Sequence, residues 1–401
     1  MIKRIPIDAL KVGMYVSDLN SDWIPHNNLK KSGYIRREEV IEKIRTLGIR
    51  ELYIDTSRGL DTQDGLTRRE VDDLNTLMLE EAGELAPIMK PVIGLDEEMR
   101  VAEKLHQEAL GLVDNVMKDV KVGKAVDVSA FEELADGMVD SIFRNHNALS
   151  CLGRIREKDA YLMEHSVNLG VLMSVFGKSI QLPRDVLQQA AVGALLHDIG
   201  KTLIPDEVLH KPGKLTDKEF AVMKKHAEFS RQLLEKSEGI TPLTVKVAAE
   251  HHERMDGTGY PQGLKGEQIS AYGRMAAIVD VYDAITADRC YHKGMPPTEA
   301  IKKLLEWSGH HLDRGLVHHF IRCIGIYPVG SLVLLESGRL GVVIEANEAD
   351  QRLPVVRVMY HTRFRSYIKQ ERLDLAHPKC QDRIVKAVDP DDYRIRVRDF
   401  L

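Results

Sequence analysis

Four textures of apolar and polar positions follow one another along the 401-residue chain. From residue 1 to about 60, short β-like runs, Lys11-Val-Gly-Met-Tyr-Val16 and Glu51-Leu-Tyr-Ile-Asp55, flank a helical stretch from Arg37 to Leu47, which predicts a small α+β module. From about 66 to 120 the chain turns to Glu, Leu, Lys and Ala, with Val101, Leu105, Ala109, Leu112, Val113 and Val116 at helical spacing. Such a stripe usually packs within its own chain. Ser129-Ala-Phe-Glu132 matches a capping box and opens a second stripe of Phe131, Leu134, Ala135, Met138, Val139, Ile142 and Phe143. The spacing predicts a helix that docks on the segment after it. Residues 148–325 are helical in pattern almost throughout. After Tyr327-Pro328, β-branched runs punctuated by Gly (Gly330-Ser-Leu-Val-Leu-Leu, Gly341-Val-Val-Ile-Glu, Pro354-Val-Val-Arg-Val-Met-Tyr) predict a small antiparallel β module. The chain therefore reads as mainly α: a small α+β module over 1–61, a helical connecting region over 62–147, a helical domain over 148–325 and a β-rich module over 326–401.

Composition narrows the function classes. Hydrophobic residues make up 43% and charged residues 29%, ordinary for a globular protein, and the formal net charge of −5 argues against a broad basic face for nucleic-acid polymers. No apolar run approaches the roughly 20 residues of a membrane span, and Met1-Ile-Lys-Arg-Ile-Pro6 lacks the apolar core of a signal peptide, so a cytoplasmic protein is expected. Cys151, Cys290, Cys323 and Cys380 have neither disulfide-framework nor zinc-knuckle spacing and read as reduced thiols.

Sixteen histidines would bring some imidazoles together by chance, so their surroundings decide which of them carry chemistry. Asp280 lies in Gly273-Arg-Met-Ala-Ala-Ile-Val-Asp-Val-Tyr-Asp-Ala-Ile-Thr-Ala287, apolar on nearly every face of a helix. A carboxylate buried there costs several kcal/mol unless it is paired, and a divalent cation supplies the missing charge; backbone donors or an Arg are the bland alternative. His197-Asp198 closes the apolar run Ala190–Leu196, just before Gly200. Adjacent side chains there diverge by about 100° and can reach one metal from two directions. His251-His252 follows the helical pattern of Val245–Ala249, so its two imidazoles point apart and each can serve a different ion. With His165 and His226 these make seven metal-grade side chains between positions 165 and 280, a set that suits a metal-dependent phosphohydrolase. His310-His311 and His318-His319 sit in a more polar helical region and read as a solvated face.

Gly257-Thr-Gly-Tyr-Pro-Gln-Gly263 is too glycine-rich for helix and forms a loop directly after the ligand pair. Its minimal role is to turn the chain. Its functional role is to shape a substrate cleft, with Gly259 giving the loop its path and Tyr260 packing on a base, or to dock a partner. Lys211-Pro-Gly-Lys214 flanks the same opening or is a solvated loop.

His251-His-Glu-Arg-Met-Asp-Gly-Thr-Gly-Tyr-Pro261, together with His197-Asp198 and Lys201, resembles the HD-GYP family of cyclic dinucleotide phosphodiesterases, over about 155–325. The first 60 residues also resemble the uncharacterised module often fused ahead of this domain. The resemblance implies a helical HD-type bundle in which His165, His197, Asp198, His226, His251, His252 and Asp280 ligate metal, with Asp198 bridging. It places Lys201 beside the bridging water and scissile phosphate as a catalytic group, and Arg289 as a phosphate-binding arginine. Two positions depart from the family pattern. Tyr161 stands where some members carry a Glu for a third ion, so two ions are expected. His292, with Lys293 beside it, stands where a basic residue is usual, leaving Lys293 as the candidate phosphate contact.

The implied reaction is hydrolysis of cyclic di-GMP to linear pGpG and/or GMP by a metal-bridging hydroxide, with Arg289 offsetting phosphate charge and Lys201 or a metal-bound water protonating the leaving oxygen. Mixed imidazole and carboxylate ligands suit Fe, Mn, Ni, Co or Zn rather than Ca, and the resemblance favours iron or manganese. Two alternatives stand beside it: a phosphodiesterase for a mixed guanine-adenine cyclic dinucleotide, and a non-catalytic sensor that contacts a diguanylate cyclase through the Gly-Tyr-Pro loop. Retention of all seven ligands favours turnover.

Overall fold

The computed structural model describes residues 1–24, 31–84, 90–154, 161–287, 294–347 and 350–401. The amino-terminal sheet contains β1 (Ile2–Pro6), β2 (Tyr15–Asp18), β3 (Gly33–Tyr34), β4 (Glu51–Asp55) and β5 (Leu66–Thr67) in the order β3-β2-β4-β1-β5. β1 and β4 pair antiparallel with Ile5 opposite Leu52, both fully buried. Helix α1 (Glu38–Thr46) covers the sheet with Ile41 and Ile44, one turn apart; Glu38 and Glu39 stand in its first turn and Lys43 and Arg45 in its last, each sign facing the favourable end of the helix dipole.

α2 (Arg68–Glu84), α3 (Leu95–Lys121) and α4 (Val128–Leu152) follow. On α3 the buried stripe is Ala102, Ala109, Val113, Val116 and Val120, with Leu105 and Leu112 part-buried and Val101 exposed, so the packed face is turned slightly from the one the larger side chains predict. On α4 the predicted stripe from Phe131 to Ile142 is buried as read, and Phe143 is exposed beneath the Lys178 ammonium. The capping box is not where the sequence pattern places it. The helix begins one residue before Ser129, and the Asp127 side chain caps it by accepting from the Ser129 N–H and hydroxyl.

The helical body continues with α5 (Tyr161–Ser179), α6 (Arg184–Leu195), α7 (Asp206–Leu209), α8 (Asp217–Met223), α9 (Lys225–Glu235), α10 (Pro242–Glu250), α11 (Ala271–Thr286), α12 (Pro297–Trp307) and α13 (Arg314–Ile324). α11 is buried from Met275 to Asp283, as its all-round apolar pattern requires. One continuous apolar cluster runs from Ile5 in the first strand to Cys323 in the last helix.

The second sheet contains β6 (Leu332–Leu335), β7 (Arg339–Glu345), β8 (Val355–His361), β9 (Ser366–Asp374) and β10 (Ile384–Ala387), all antiparallel, in the order β10-β6-β7-β8-β9. Its two faces line two apolar clusters, one around Val333, Val343 and Val356 that also takes in Cys151 of α4 with Leu95 and Met99 of α3 against it, and one around Leu340, Val342 and Met359. The fold is mainly helical with a small sheet module at either end. No helix among the described residues is long and apolar enough to cross a membrane.

Candidate metal centre

Five segments deliver the seven ligand candidates. His165 lies in the first half of α5, and α6 ends at Leu195, so His197 and Asp198 sit in the turn between it and a 3-10 turn over Ile199–Leu203. Ser230 Oγ accepts from the Gly200 N–H (2.9 Å) and ties that turn to α9, which carries His226. His251 and His252 follow the last residue of α10, and Asp280 stands in the middle of α11. All seven are buried.

Three rings are aimed by the same device. His197, His226 and His251 each place Nδ1 2.7 Å from the backbone carbonyl three residues earlier, those of Ala194, Met223 and Ala248. A carbonyl only accepts, so Nδ1 carries the proton and Nε2 presents a lone pair inward. His165 is held differently: Asp283 Oδ2 takes its Nδ1–H at 2.6 Å, and Asn168 donates to the other oxygen of Asp283.

Inward, the atoms converge. His165 Nε2 lies 3.2 Å from Asp280 Oδ1, His252 Nδ1 3.4 Å from Asp280 Oδ2, and His197 Nε2 3.2 Å from Asp198 Oδ2. His226 Nε2 is 3.4 Å and His251 Nε2 4.0 Å from Asp198 Oδ1. Three groups have ligand atoms all within 4.8 Å of one another: His226, His251 and His252; His165, His197 and Asp280; His197, Asp198 and His251. His197 Nε2, Asp198 Oδ1 and His252 Nδ1 are buried without a hydrogen bond. Three unsatisfied basic atoms in one dry space suit a divalent cation, which needs lone pairs and no protons.

The electrostatics agree. Burial lowers the pKa of His226 to about 4, against the pull of Asp198, and burial with neighbouring imidazoles holds His251 and His252 well below their ordinary range. These rings are neutral at pH 7, as ligands must be. Burial opposes ionisation of Asp198, but His197 and Lys201 outweigh it and hold the carboxyl well below its usual range; for Asp280, the hydrogen bond from His165 does the same. His165 goes the other way: burial lowers it, yet Asp280 and Asp283 together raise it to about 9. A cation held at its Nε2 would take the place of the proton shared with Asp280, and the Nδ1–H would stay on Asp283.

The remaining candidates divide. Lys201 is buried with Nζ 2.5 Å from Asp198 Oδ2. The Tyr260 ring tilts against His252, centroids 4.6 Å apart. Gly259 is packed so closely that a β-carbon would overlap the main chain of Glu253 and Arg254. Arg289 and Lys293 lie outside the described residues. Lys211 is engaged by Glu219 at 2.6 Å. The His310-His311 reading needs correction: His310 is exposed, but His311 is buried, stacked on Trp23 at 3.9 Å with Nδ1 3.4 Å from Asp256 Oδ2. Trp23 comes from the amino-terminal module, so nothing local to 310–311 signals this burial.

Sequence reasoning also passed over the groups that hold the ligands in place. Asp283 meets the same test that singled out Asp280, an acid on the all-buried helix, one turn on. Glu250 Oε2 accepts from Ser270 N–H (2.8 Å) and hydroxyl (2.6 Å) and fastens the end of α10 to the start of α11. Glu253 accepts from Gln262 N–H (2.8 Å) and Leu264 N–H (2.9 Å) and clamps the Gly-Tyr-Pro loop. A cavity of about 220 Å³ lies behind Asn168, between α5, α11 and the second sheet, and none of the seven ligand candidates lines it.

Residues 152–316, which contain this whole cluster, match the HD domain family, and residues 2–131 match a domain of unknown function, DUF3391. A cyclic di-GMP phosphodiesterase of Pseudomonas aeruginosa is 38% identical over 392 residues, 96% of this chain and 92% of the relative. The chain belongs to the HD-GYP family. Within that family, a cyclic di-GMP phosphodiesterase of Vibrio cholerae is 34% identical over 238 residues, 58% of this chain and 46% of the relative. A 3'3'-cGAMP-specific phosphodiesterase of the same organism is 33% identical over 192 residues, 48% of this chain and 36% of the relative. The HD-GYP assignment and the buried His/Asp groups together suit divalent metal binding.

Proposed function

We propose that the chain is a metal-dependent phosphodiesterase that opens cyclic di-GMP to linear pGpG and/or GMP. What supports this most is the gathering of five buried imidazoles and two ionised carboxylates from five segments, in a chain matched over 96% of its length by a cyclic di-GMP phosphodiesterase. Two divalent cations would be held, one by His226, His251 and His252 and the other by His165, His197 and Asp280, and Asp198 would serve as a further ligand beside His197 and His251. Imidazole and carboxylate donors suit iron or manganese, with nickel, cobalt and zinc also compatible. Bound there, the cations supply charge to offset the phosphodiester and acidify a shared water.

The chain's own groups do the rest. Asp198 and Asp280 hold their negative charge against burial because cationic and imidazole partners surround them. Water adds across the P–O3′ bond: its oxygen goes to phosphorus, the P–O3′ bond breaks, and the 3′ oxygen takes a proton from Lys201 Nζ, which recovers one from the attacking water. Arg289 and Lys293 are assigned to the non-bridging phosphate oxygens. Tyr260 and Gly259 belong to a loop that walls the cleft and presents a base-stacking ring, and the same loop is the proposed contact for a diguanylate cyclase.

Parallel anaerobic incubations of iron- or manganese-loaded protein with cyclic di-GMP and with 3'3'-cGAMP, followed by chromatography, test the proposal. Linear pGpG or GMP from the first substrate is the expected result. Faster turnover of 3'3'-cGAMP assigns the mixed dinucleotide instead, and binding without cleavage of either makes the protein a sensor.

A further inference from the structure

The amino-terminal module reaches the ligand-bearing segment directly. Arg254, two residues beyond His252, is buried; its Nη1 donates to the carbonyls of His251 (3.2 Å) and Glu253 (2.9 Å), and its Nη2 donates to the carbonyl of Trp23 (3.3 Å). The guanidinium stands 5.7 Å from the centre of the Trp23 ring, which stacks on His311. His311 accepts the Met255 N–H on its carbonyl (3.0 Å) and approaches Asp256 through Nδ1. Arg50, at the start of β4, donates to the same Asp256 at 3.4 Å, and a β-carbon at Gly48 would lie 2.6 Å from Thr258 Oγ1. Residues 251–258 are thus met from the amino-terminal module by the ring and carbonyl of Trp23, the guanidinium of Arg50 and the turn at Gly48, with the buried Arg254 reaching out to the first of these.

We infer that Trp23 and Arg254 are positioning residues for the metal centre, and that the amino-terminal domain of unknown function completes the site by fixing the main chain that aims His251 and His252. The inference rests on the metal-centre reading above. The carbonyls Arg254 binds belong to a ligand and to the clamp of the Gly-Tyr-Pro loop, so freeing the guanidinium lets both imidazoles leave their shared focus. A planar fork serves three carbonyls at once, which one ammonium does not. The Trp23 ring keeps the fork in place by cation–π contact and by filling the space between Arg254 and His311. Disturbing the partners that orient metal ligands typically costs about 10- to 100-fold in metal affinity.

Calorimetric titration with Mn²⁺ alone, at a temperature where circular dichroism shows every variant folded, provides the test. Trp23→Ala and Arg254→Lys are each expected to weaken Mn²⁺ by about tenfold, and Trp23→Phe, which keeps a ring in place, to stay within about threefold of wild type. Ile5→Ala, in the core of the same module and away from the network, is expected to lower thermal stability and leave the affinity unchanged. Turnover by the first two variants should lose kcat more than it raises KM. Wild-type affinity in both Trp23→Ala and Arg254→Lys overturns the inference, as does an equal loss in Ile5→Ala, which would make the module a stabiliser only. A wild-type protein that binds no Mn²⁺ removes the metal-centre reading itself.

Discussion

The two terminal modules are built on the same number of strands and relate to the helical body in different ways. Each has five strands in an antiparallel order. The amino-terminal sheet shares one apolar cluster with α3 to α6 and α9 to α13, and polar contacts of its module reach the segment that carries His251 and His252. The carboxy-terminal sheet packs one face in a cluster shared with Cys151 of α4 and with Leu95 and Met99 of α3, helices that carry no ligand candidate, closes the other face on its own module, and makes polar contacts with the body such as Cys151 Sγ donating to Val329 O (3.3 Å) and Gln351 Nε2 to Arg322 O (2.9 Å). Equal architecture therefore does not mean equal involvement. What separates the two is whether the module's core and hydrogen bonds are continuous with the elements that aim the ligands.

The largest effect should come from the metal centre itself. His197→Ala is expected to abolish turnover of cyclic di-GMP while circular dichroism and thermal melting show a folded protein, because it removes one inward lone pair and leaves the carbonyl of Ala194 otherwise accommodated; activity near wild type in this variant contradicts the assignment. Asp283→Ala comes next. Losing the carboxylate that fixes His165 through Nδ1 should weaken Mn²⁺ by about 10- to 100-fold, measured by calorimetry. The same titration of Leu340→Ala tests whether the second sheet stands apart from the metal centre: the substitution empties a buried position in that sheet and should cost about 2–5 kcal/mol in urea unfolding, with no change in Mn²⁺ affinity. A lower affinity in Leu340→Ala would join the two modules in function and dissolve the contrast.

The smallest effect concerns the shared core. Burial, with Lys178 adding to it, lowers the pKa of His146 on α4 to about 4. Folded His146 is then neutral at pH values where the unfolded chain already protonates it near 6.5. Above pH 6.5 the ring costs nothing. As pH falls from 6.5 to about 4 the unfolded state takes up the proton first, and stability drops by as much as roughly 3 kcal/mol from this group. Urea midpoints across that window should therefore fall less steeply in His146→Gln than in wild type, and parallel slopes would remove His146 from the account.

Much of the site was legible because burial of a polar group is costly and shows in its neighbours. Asp280 on an apolar helix and His197-Asp198 after Ala190–Leu196 stand out on those grounds, and both lie in the cluster. Local periodicity likewise located Glu51–Asp55 as a strand and placed α1 within one residue at either end. What stayed hidden depends on contacts between distant segments. His311 reads as solvated until Trp23, nearly three hundred positions earlier, covers it. Arg254 carries no sequence signal of its burial, because the Trp23 ring and carbonyl that cover its guanidinium come from the amino-terminal module. Asp127 displaced Ser129 as the cap of α4 because two capping-competent residues stood two positions apart and the pattern alone did not rank them. On α3 the buried face runs through Ala102, Ala109, Val113, Val116 and Val120, so Val101, although larger than its neighbour Ala102, lies on the exposed side.

Metal content is the most direct measure of the central claim that seven buried side chains focus on divalent cations. Elemental analysis of protein purified anaerobically and supplied with iron or manganese, beside the Asp198→Ala variant, is expected to find two ions per chain in the wild type and fewer in the variant. A folded wild-type chain that retains no transition metal, or an Asp198→Ala variant that retains as much as wild type, would contradict it.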